Sequence, residues 1–281
     1  MSNQPGTIYL VSTPIGNLED MSARALRVLT EVDLIAAEDT RHSAKLLRHF
    51  GIDTPVTAYH DHNEREKAQH LVGRVVAGEN LALISDAGTP LVNDPGYHLV
   101  KAAREADILL VPIPGACAAI TALSVSGLPT DKFLFTGFPP AKSVTRKNYF
   151  SARSRLDVTL IFYESPHRIV ESLTDMREIF GSERNAVVAR ELTKKFETVR
   201  SDSLAELVKW IEGDVNQQKG EFVVLVQGVS TEGNTEVDAD TGRLLLQLAE
   251  ELPPKRAAAI VAEYSGLRKN RLYEYLLDKK V

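Results

Sequence analysis

One stretch of the chain, SDAGTPLVNDPG at residues 85–96, restricts the possible folds more than any other. It follows an apolar run at residues 81–84 and contains Asp94 and Pro95, a pair typical of a helix N-cap and first helical position. The pattern predicts a buried strand, a loop and the start of a helix. Ligands of open α/β sheets bind beyond the carboxyl ends of strands, and the small residues at 87–89 allow a ligand to approach the backbone closely. We therefore predict a cofactor-binding loop here.

The first half of the chain repeats this alternation of strand and helix, which predicts a parallel sheet flanked by helices. The apolar runs that predict its strands lie at residues 7–12, 33–37, 56–59, 81–84 and 108–112. The intervening helices are predicted at residues 22–29, 46–50, 63–77 and 97–106, and a further helix of small residues at 116–125. Asn63 is predicted to open its helix, with Glu66 three residues on as a capping box.

A second α/β unit and a helical tail are predicted to follow. Strands are expected at residues 132–136, 158–163, 186–189 and 222–226, one helix opening at residues 164–168, and another at 204–211 capped by Ser203. Residues 228–242 are predicted to be a linker to two tail helices at 255–264 and 268–277. The predicted fold class is α/β, with two α/β domains of mostly parallel sheets at 1–118 and 119–230 and a basic helical tail at 238–281.

Charge is distributed unevenly along the 281 residues. The net charge of −5 argues against binding nucleic acid by overall charge, but it permits a local basic face. Residues 253–281 hold seven basic and three acidic residues, a net charge of +4, and residues 142–155 are also rich in Lys and Arg. The tail is either a phosphate-binding surface or a solvated helical hairpin, and charge alone does not separate the two.

The single cysteine, Cys117, excludes an internal disulfide framework and fits a reducing compartment. The amino-terminal residues have neither the basic region nor the apolar stretch of an export signal, and no run approaches the ~20 apolar residues of a membrane span. We expect a cytoplasmic protein without membrane contact.

The motifs that are present or absent limit the reactions and ligands expected of this chain. Neither G-x-G-x-x-G after the first strand nor a P-loop is present, which disfavours a nucleotide-dependent oxidoreductase and NTP hydrolysis. Asp86 can accept hydrogen bonds from a ribose or offset a neighbouring positive charge. Residues 38–41, EDTR, are expected at the same sheet edge, and residues 60–62, HDH, are interpreted as a loop because no third metal ligand is placed by spacing. Residues 190–195 are either an ion pair with surface lysines or a phosphate clamp.

Taken together, the motifs resemble the tetrapyrrole methylase superfamily of S-adenosylmethionine-dependent methyltransferases. The motifs are TPIGNLEDMS, AAEDTR, YHDHNE, SDAGTPLVNDPG, PIPGACAAITALSVSGLP, GFPP, YESPHR and ARELTKKFE, with KRAAAIVAEYSGLRKNRLYEYL in the tail. They are most similar to the RsmI branch, whose members methylate a cytidine 2'-hydroxyl in the decoding region of small-subunit (16S) ribosomal RNA. The resemblance implies S-adenosylmethionine in the cleft between two α/β domains, a homodimer, ribosomal RNA or the assembled 30S subunit as substrate, and no metal or DNA.

The resemblance also implies a set of cofactor contacts. They are Asp86, Ala87, Gly88, Thr89, Pro90, Pro114, Gly115, Ala116, Cys117, Phe162, Tyr163, Ala189, Gly220 and Glu221, with Pro14 and Gly16 below the cofactor. Porphyrin methylases carry a glycine-richer first loop, so porphyrin contacts in that loop are not transferred to this chain.

Methyl transfer from a sulfonium is an in-line displacement, which makes orientation of the acceptor the main task of the protein. A carboxylate can orient a ribose hydroxyl and take its proton. We predict Asp39 or Glu38 in that role, Glu191 as the reserve, and Arg41 and Arg190 as phosphate contacts. The alternatives are methylation of a small tetrapyrrole-like acceptor and a non-catalytic RNA-binding or ribosome-assembly protein.

Overall fold

Two five-stranded sheets form the body of the protein. The structure is a computed structural model that describes residues 4–60, 63–229, 237 and 239–279. The first sheet has the strand order β3-β2-β4-β1-β5, and every neighbouring pair in it is parallel. Its strands are β1 (Thr7–Val11), β2 (Leu34–Ala37), β3 (Val56–Ala58), β4 (Leu81–Ile84) and β5 (Leu109–Ile113). Its helices are α1 (Ala23–Glu31), α2 (Thr40–His49), α3 (Glu64–Val76) and α4 (Tyr97–Glu105).

The strand order creates a crevice in the first sheet. From β1 the chain crosses to β2 on one side, and from β4 it crosses to β5 on the other side. The loops that follow β1 and β4 therefore diverge, which is the arrangement that opens a ligand-binding crevice at the carboxyl edge of a parallel sheet.

The second sheet corrects one part of the predicted fold. Its order is β6-β7-β10-β8-β9, and only the β6–β7 pair is parallel. Its strands are β6 (Phe133–Phe135), β7 (Thr159–Glu164), β8 (Asn185–Arg190), β9 (Thr198–Ser203) and β10 (Phe222–Val226). The sheet is therefore mixed and not mostly parallel, because residues 191–197 between β8 and β9 are too few for the crossover that parallel neighbours need.

Helices cover both faces of the second sheet. They are α5 (Ala118–Ser126), α6 (Ser143–Ser151), α7 (Ile169–Phe180) and α8 (Leu204–Gly213). Phe150, Phe162 and Phe180 pack together in the core under α6, α7 and α8. On the opposite face, α5 packs against β7, β8 and β10 in a core that also includes Ile15 from the loop after β1. This second core joins the two halves.

One predicted N-cap and one predicted helix start are wrong. The helix after the central loop begins at Tyr97, as predicted, but its N-cap is Gly96 and not Asp94, and Gly96 has φ +143°, a backbone conformation that favours glycine. The helix after β7 begins at Ile169, because the Arg168 N–H donates to the Ser165 carbonyl and closes a separate turn first. The Ser203 cap is confirmed by a hydrogen bond from the Glu206 amide, and Ser22 caps α1 in the same way through the Ala25 amide.

Asn63 is at the N-cap position of α3, but its side chain makes no cap hydrogen bond and instead accepts from the His60 N–H at 3.0 Å. The predicted capping box is therefore not formed.

Three helices complete the described chain: α9 (Ala239–Glu251), α10 (Pro254–Ser265) and α11 (Lys269–Lys279). Leu245, Val261 and Leu272 belong to a small core of their own. The two predicted tail helices are confirmed, whereas the predicted linker ends too late, because Gly242 lies within α9. Residues 230–236 and 238 of that linker lie outside the described residues. Within the described part of the chain, no helix combines the length and the apolar character required to span a membrane.

Candidate active site

A cleft of about 300 Å³ lies where the two halves meet, within the range of sites for small-molecule ligands. Loops from the carboxyl edge of the first sheet form one wall, and β7, β8, β10 and the start of α5 form the other. The lining residues are Ile15, Glu38, Asp86, Ala87, Gly88, Thr89, Val92, Asn93, Asp94, Cys117, Ala118, Phe138, Tyr163, Glu164, Ala189, Leu192, Glu221, Phe222 and Val223.

Three loops of the first half are tied together on the floor of the cleft. The backbones of Thr13 and Gly88 exchange two hydrogen bonds, of 2.8 and 3.0 Å. The Thr89 hydroxyl lies 3.0 Å from the Ser12 hydroxyl and donates to the Ala116 carbonyl at 2.9 Å. Because these bonds join the loops after β1, β4 and β5, the backbone of the cleft is held before any ligand arrives.

Glycines are needed at two points of this junction. Gly88 has φ +89°, which side chains rarely adopt. A Cβ added to Gly115 would lie 2.7 Å from the Ser12 Cβ, closer than real side chains approach. The close approach of these loops therefore depends on the absence of a side chain at residue 115.

An aromatic group occupies the opposite wall. The Tyr163 ring packs edge-on against Phe135 and Phe138, with centroids 4.8 and 5.7 Å apart. Its hydroxyl oxygen accepts a hydrogen bond from the Ala119 amide in the first turn of α5, at 3.3 Å. Burial, followed by the neighbouring Cys117, raises the pKa of Tyr163, so the phenol stays neutral.

The carboxylates at the end of β2 have different surroundings. Asp86 accepts a hydrogen bond from the Asp39 amide at 3.0 Å, which joins the ends of β2 and β4. Asp39 caps α2 through the Arg41 amide at 2.8 Å, and its two oxygens also accept from the Arg41 guanidinium. The Arg41 side-chain bond, followed by its backbone bond, lowers the pKa of Asp39 to about 2. Of Glu38 and Asp39, only Glu38 lines the cleft.

The side chains of Arg190 and Glu191 make hydrogen bonds to other residues of the chain. Arg190 is buried, and its guanidinium donates to the carbonyls of Lys219 at 2.5 Å and Phe196 at 3.0 Å. This argues against the prediction that Arg190 grips phosphate, because the residue is buried and its Nε and one Nη already donate to backbone carbonyls. Glu191 accepts from the Glu221 amide and from Lys194, both at 3.0 Å. Burial acts to raise the pKa of Glu191, but these two hydrogen bonds together with the positive charges of Lys194 and Arg190 outweigh it and lower the pKa.

No cluster of three or more His, Cys, Asp or Glu side chains suited to a metal occurs among the described residues. Residues 61 and 62 of the HDH segment lie outside them.

Comparison with known sequences covers almost the whole chain. Residues 7–208 match the sequence profile of tetrapyrrole (corrin/porphyrin) methylases, and residues 235–280 match the RsmI C-terminal HTH domain. The chain belongs to the tetrapyrrole methylase family. Relatives named ribosomal RNA small subunit methyltransferase I include a Pseudomonas aeruginosa protein, 56% identical with 98% of each chain covered. A second is the Escherichia coli O157:H7 protein, 52% identical with 99% of this chain and 97% of the relative covered.

Solved structures of tetrapyrrole methylases and related enzymes share the fold. Diphthine synthase superposes with a TM-score of 0.62 at 18% identity, covering 79% of this chain and 90% of that one. Uroporphyrin-III C-methyltransferase from Thermus thermophilus, in a structure with S-adenosyl homocysteine, gives 0.53 at 18% identity and covers 78% and 97%. The predicted family and the α/β fold class are confirmed.

The tetrapyrrole methylase cleft brings together about half of the predicted cofactor residues. Those that line it are Asp86, Ala87, Gly88, Thr89, Cys117, Tyr163, Ala189 and Glu221. The predicted residues that are not among the lining residues are Pro14, Gly16, Pro90, Pro114, Gly115, Ala116, Phe162 and Gly220. The prediction that Phe162 contacts the cofactor is corrected by the structure. Side chains alternate between the two faces of β7, so the Phe162 ring packs in the core under α6 and α7, while Tyr163 packs on the other face.

The cleft of this tetrapyrrole methylase is also lined by residues that were not predicted from the sequence. Ile15 and Phe138 are apolar residues inside the quoted motifs TPIGNLEDMS and GFPP, and Glu164 opens the sequence ESPHR. The remaining ones are Val92, Asn93, Asp94, Ala118, Leu192, Phe222 and Val223. The sequence contained a signal for Ile15, Phe138 and Glu164, because their motifs lie at the ends of predicted strands, as the central loop does.

Proposed function

We propose that this protein uses S-adenosylmethionine to methylate the ribose 2'-hydroxyl of a cytidine in the decoding region of small-subunit (16S) ribosomal RNA. The observation that carries the proposal is identity of 52–56% over nearly full length to proteins named ribosomal RNA small subunit methyltransferase I. Similarity at this level extends through the carboxyl-terminal helices, where residues 235–280 match a domain profile of the same proteins.

The residues of the cleft fit the proposed cofactor. Small side chains at 87–89, the positive φ of Gly88 and the apolar wall of Ile15, Ala189 and Leu192 leave room for a ligand that combines a flat ring with polar groups. When bound, S-adenosylmethionine supplies a methyl group on a positively charged sulfur. We assign the loop at 86–90, Cys117, Tyr163, Ala189 and Glu221 to holding it.

Within this proposal Glu38 takes the role of orienting the acceptor hydroxyl and accepting its proton. Two observations support Glu38 over Asp39: Glu38 lines the cleft, and a carboxyl with a pKa of about 2 is a poor base. Glu191 is disfavoured as the reserve because Lys194 and the Glu221 amide occupy its carboxylate. Arg41, whose side chain is exposed at the rim, remains the proposed phosphate contact.

The proposal includes the wider organisation of the protein. We propose folding units at residues 1–118, 119–230 and 238–281, a homodimer, and a cytoplasmic site of action on ribosomal RNA, either free or in the assembled 30S subunit. The basic helices α10 and α11 are proposed to contact RNA phosphates.

The test is transfer of labelled methyl from S-adenosylmethionine to small-subunit ribosomal RNA, free and assembled, followed by nuclease digestion to locate the label. Label on a cytidine ribose is the expected result. Cofactor binding without RNA labelling would favour a small tetrapyrrole-like acceptor, and absence of cofactor binding would favour a non-catalytic RNA-binding or ribosome-assembly protein. If both Glu38→Gln and Asp39→Asn kept full turnover with normal cofactor binding, the assignment of the base would be abandoned.

A further inference from the structure

Helix α2 carries a row of cations on its exposed side. Its sequence, TRHSAKLLRH, contains Arg41, Lys45 and Arg48 and no acidic residue. Residues spaced at i, i+4 and i+7 lie on one face of a helix, and all three are exposed, whereas Ser43 and Leu47 are buried on the opposite face. We call Arg41, Lys45 and Arg48 the basic stripe. At a rise of about 1.5 Å per residue, the stripe is about 10 Å long.

The protein leaves most of the charge of the basic stripe without a counter-charge. Arg41 pairs with Asp39 at 3.1 Å, but its side chain is still 90% exposed. In the portion of the chain that the structure describes, neither Lys45 nor Arg48 forms an ion pair or a side-chain hydrogen bond. The basic residues of α6, by contrast, pair with acidic residues of α7. The stripe is therefore a charged surface and not a set of structural ion pairs.

The stability of α2 does not explain the basic stripe. Like charges at i, i+3 and i, i+4 repel each other on a helix, which applies to Arg41 with Lys45 and to Lys45 with Arg48. A cation in the first turn also opposes the helix dipole, and Arg41 is the second residue of α2. Arg48, in the last turn, is the member that the dipole favours. An anion from outside the chain would offset the repulsion.

The basic stripe begins at the rim of the cleft. Glu38 lines the cleft, and the next residue, Asp39, donates its amide hydrogen bond to Asp86, another lining residue, at 3.0 Å. Because β2 and β3 are parallel neighbours, α2 returns from the carboxyl edge of the sheet, and the stripe leads away from the cleft. An acceptor that fits inside the cleft would reach only the first member. A polymeric anion with one unit in the cleft would follow the whole stripe.

We propose that the basic stripe binds the RNA backbone next to the target nucleotide and positions the strand across the cleft. The partner is a single-stranded segment whose successive phosphates contact Arg41, Lys45 and Arg48. Lys and Arg bind phosphates without reading the sequence, so the stripe contributes affinity and register. The inference rests on the proposed RNA substrate, and it adds Lys45, Arg48 and the direction of the strand.

Lys45→Glu separates RNA binding from the stability of α2. The substitution replaces two like-charge pairs by opposite-charge pairs with Arg41 and Arg48, so the midpoint of chemical denaturation should stay the same or rise. RNA affinity should fall, because a phosphate contact is lost and a repulsive charge takes its place. Lys45→Gln combined with Arg48→Gln removes two contacts without adding repulsion.

Affinity for a single-stranded decoding-region RNA fragment is measured with the full-length protein over a range of salt. Each single-strand phosphate contact contributes about 0.7 to the slope of log affinity against log salt. Lys45→Gln with Arg48→Gln should therefore lower the slope by about 1.4 and weaken binding about fivefold per contact at about 0.1 M salt. Lys101→Gln combined with Lys209→Gln, the matched control, removes the same charge from α4 and α8 and should leave the slope unchanged. Calorimetry should show unchanged affinity for S-adenosylmethionine, since none of these four residues lines the cleft.

Three results would overturn the basic stripe as an RNA contact. A slope for Lys45→Gln with Arg48→Gln equal to that of the control would indicate a solvated helix face. Weaker binding of the assembled subunit with unchanged binding of free RNA would assign the stripe to an acidic protein surface. A lower denaturation midpoint together with lower RNA affinity in Lys45→Glu would assign it to the folding of α2.

Failure of the proposed function is distinguished from failure of the basic stripe. The first appears as a wild-type protein that transfers no methyl group to ribose, whereas the stripe is judged by RNA affinity without turnover. A wild-type protein that binds no RNA would overturn both.

Discussion

Neighbouring residues with the same functional group acquire different chemistry in this protein. Glu38 and Asp39 are adjacent carboxylates at the end of β2, yet Asp39 is held by the Arg41 amide and guanidinium while Glu38 lines the cleft. Hydrogen bonds to the ionised form favour that form, so Asp39 is a structural anion that starts α2.

The Asp39 carboxyl should titrate near pH 2 in the folded protein, against an ordinary value of 3.8. Because its folded pKa is depressed, the stabilisation it provides is complete above about pH 4 and is lost as the pH falls through about 2. Carboxyl 13C NMR measured against pH checks this. Arg41→Gln should move the midpoint upward, and a wild-type midpoint near 4 would contradict the role of Arg41.

Gly115→Ala should damage the cleft from a position outside its lining. The new Cβ would lie 2.7 Å from the Ser12 Cβ, which forces the loops after β1 and β5 apart. We expect a loss of about 1–3 kcal/mol in the free energy of unfolding and weaker cofactor binding. Gly73→Ala is the control, because it lies within α3 with no atom within 4 Å of the added Cβ. It should be neutral or stabilising by up to about 1 kcal/mol. Equal effects of the two substitutions on chemical denaturation would argue against steric contact as the cause.

At the scale of elements, α6 shows why a basic stretch is not always a basic surface. Arg146 has a 0% exposed side chain and donates to Asp175 at 2.7 Å and to the Ala141 carbonyl at 3.0 Å. Lys147 pairs with Glu178, and the Arg153 guanidinium stacks 3.6 Å from the centre of the Tyr149 ring. Residues 142–155 therefore contribute more to the attachment of α6 to α7 than to an RNA-binding face, which weakens one argument for RNA made from sequence.

Arg146→Met should destabilise the second half severely, by about 3–5 kcal/mol, because buried Asp175 loses its closest cation and keeps only the Ser143 hydroxyl and the more distant Lys147 ammonium. Lys147→Gln on the same helix should cost much less, since its closer ion pair, with Glu178 at 2.6 Å, is at the surface and its contact with Asp175 is longer, at 3.7 Å. Chemical denaturation of both variants provides the comparison. A mild effect of Arg146→Met would mean that water or a rearranged side chain compensates Asp175.

At the scale of the whole molecule, charge is separated along the chain. Residues 253–281 have a net charge of +4, which leaves −9 on residues 1–252. Helices α9, α10 and α11 share a core of their own, so their basic residues are presented by a separate packed unit. An acidic body with a basic appendage suits a protein that meets RNA through a limited face.

Arg268→Gln combined with Lys269→Gln should weaken RNA binding at low salt. Both residues are exposed near the start of α11. Each lost single-strand phosphate contact should lower the slope of log affinity against log salt by about 0.7. Lys101→Gln combined with Lys209→Gln removes the same charge from α4 and α8 and is expected to leave the slope unchanged. The two slopes, from binding assays over a range of salt, decide between phosphate contacts and a solvated hairpin; equal slopes would favour the hairpin.

The amino-acid sequence by itself determined the alternation of strands and helices, the family, and the loops that meet at the cleft. These features are local: the apolar runs of β2 and β4 and the Ser203 cap act through neighbours in the chain. The positions of α10 and α11 were predictable for the same reason, with Gly266 at φ +73° ending α10.

Only the tertiary structure decided which of the predicted residues act together. Strand direction in the second sheet depends on pairing between distant segments, as does the face on which Phe162 or Tyr163 lies. Partners far along the chain, Lys219 for Arg190 and Asp175 for Arg146, hold both basic side chains inside the protein, which the local sequence did not indicate. The preference of a short segment for helix or strand depends on its own residues. The burial, hydrogen-bond partners and charge state of a side chain depend on contacts that only the folded chain brings together.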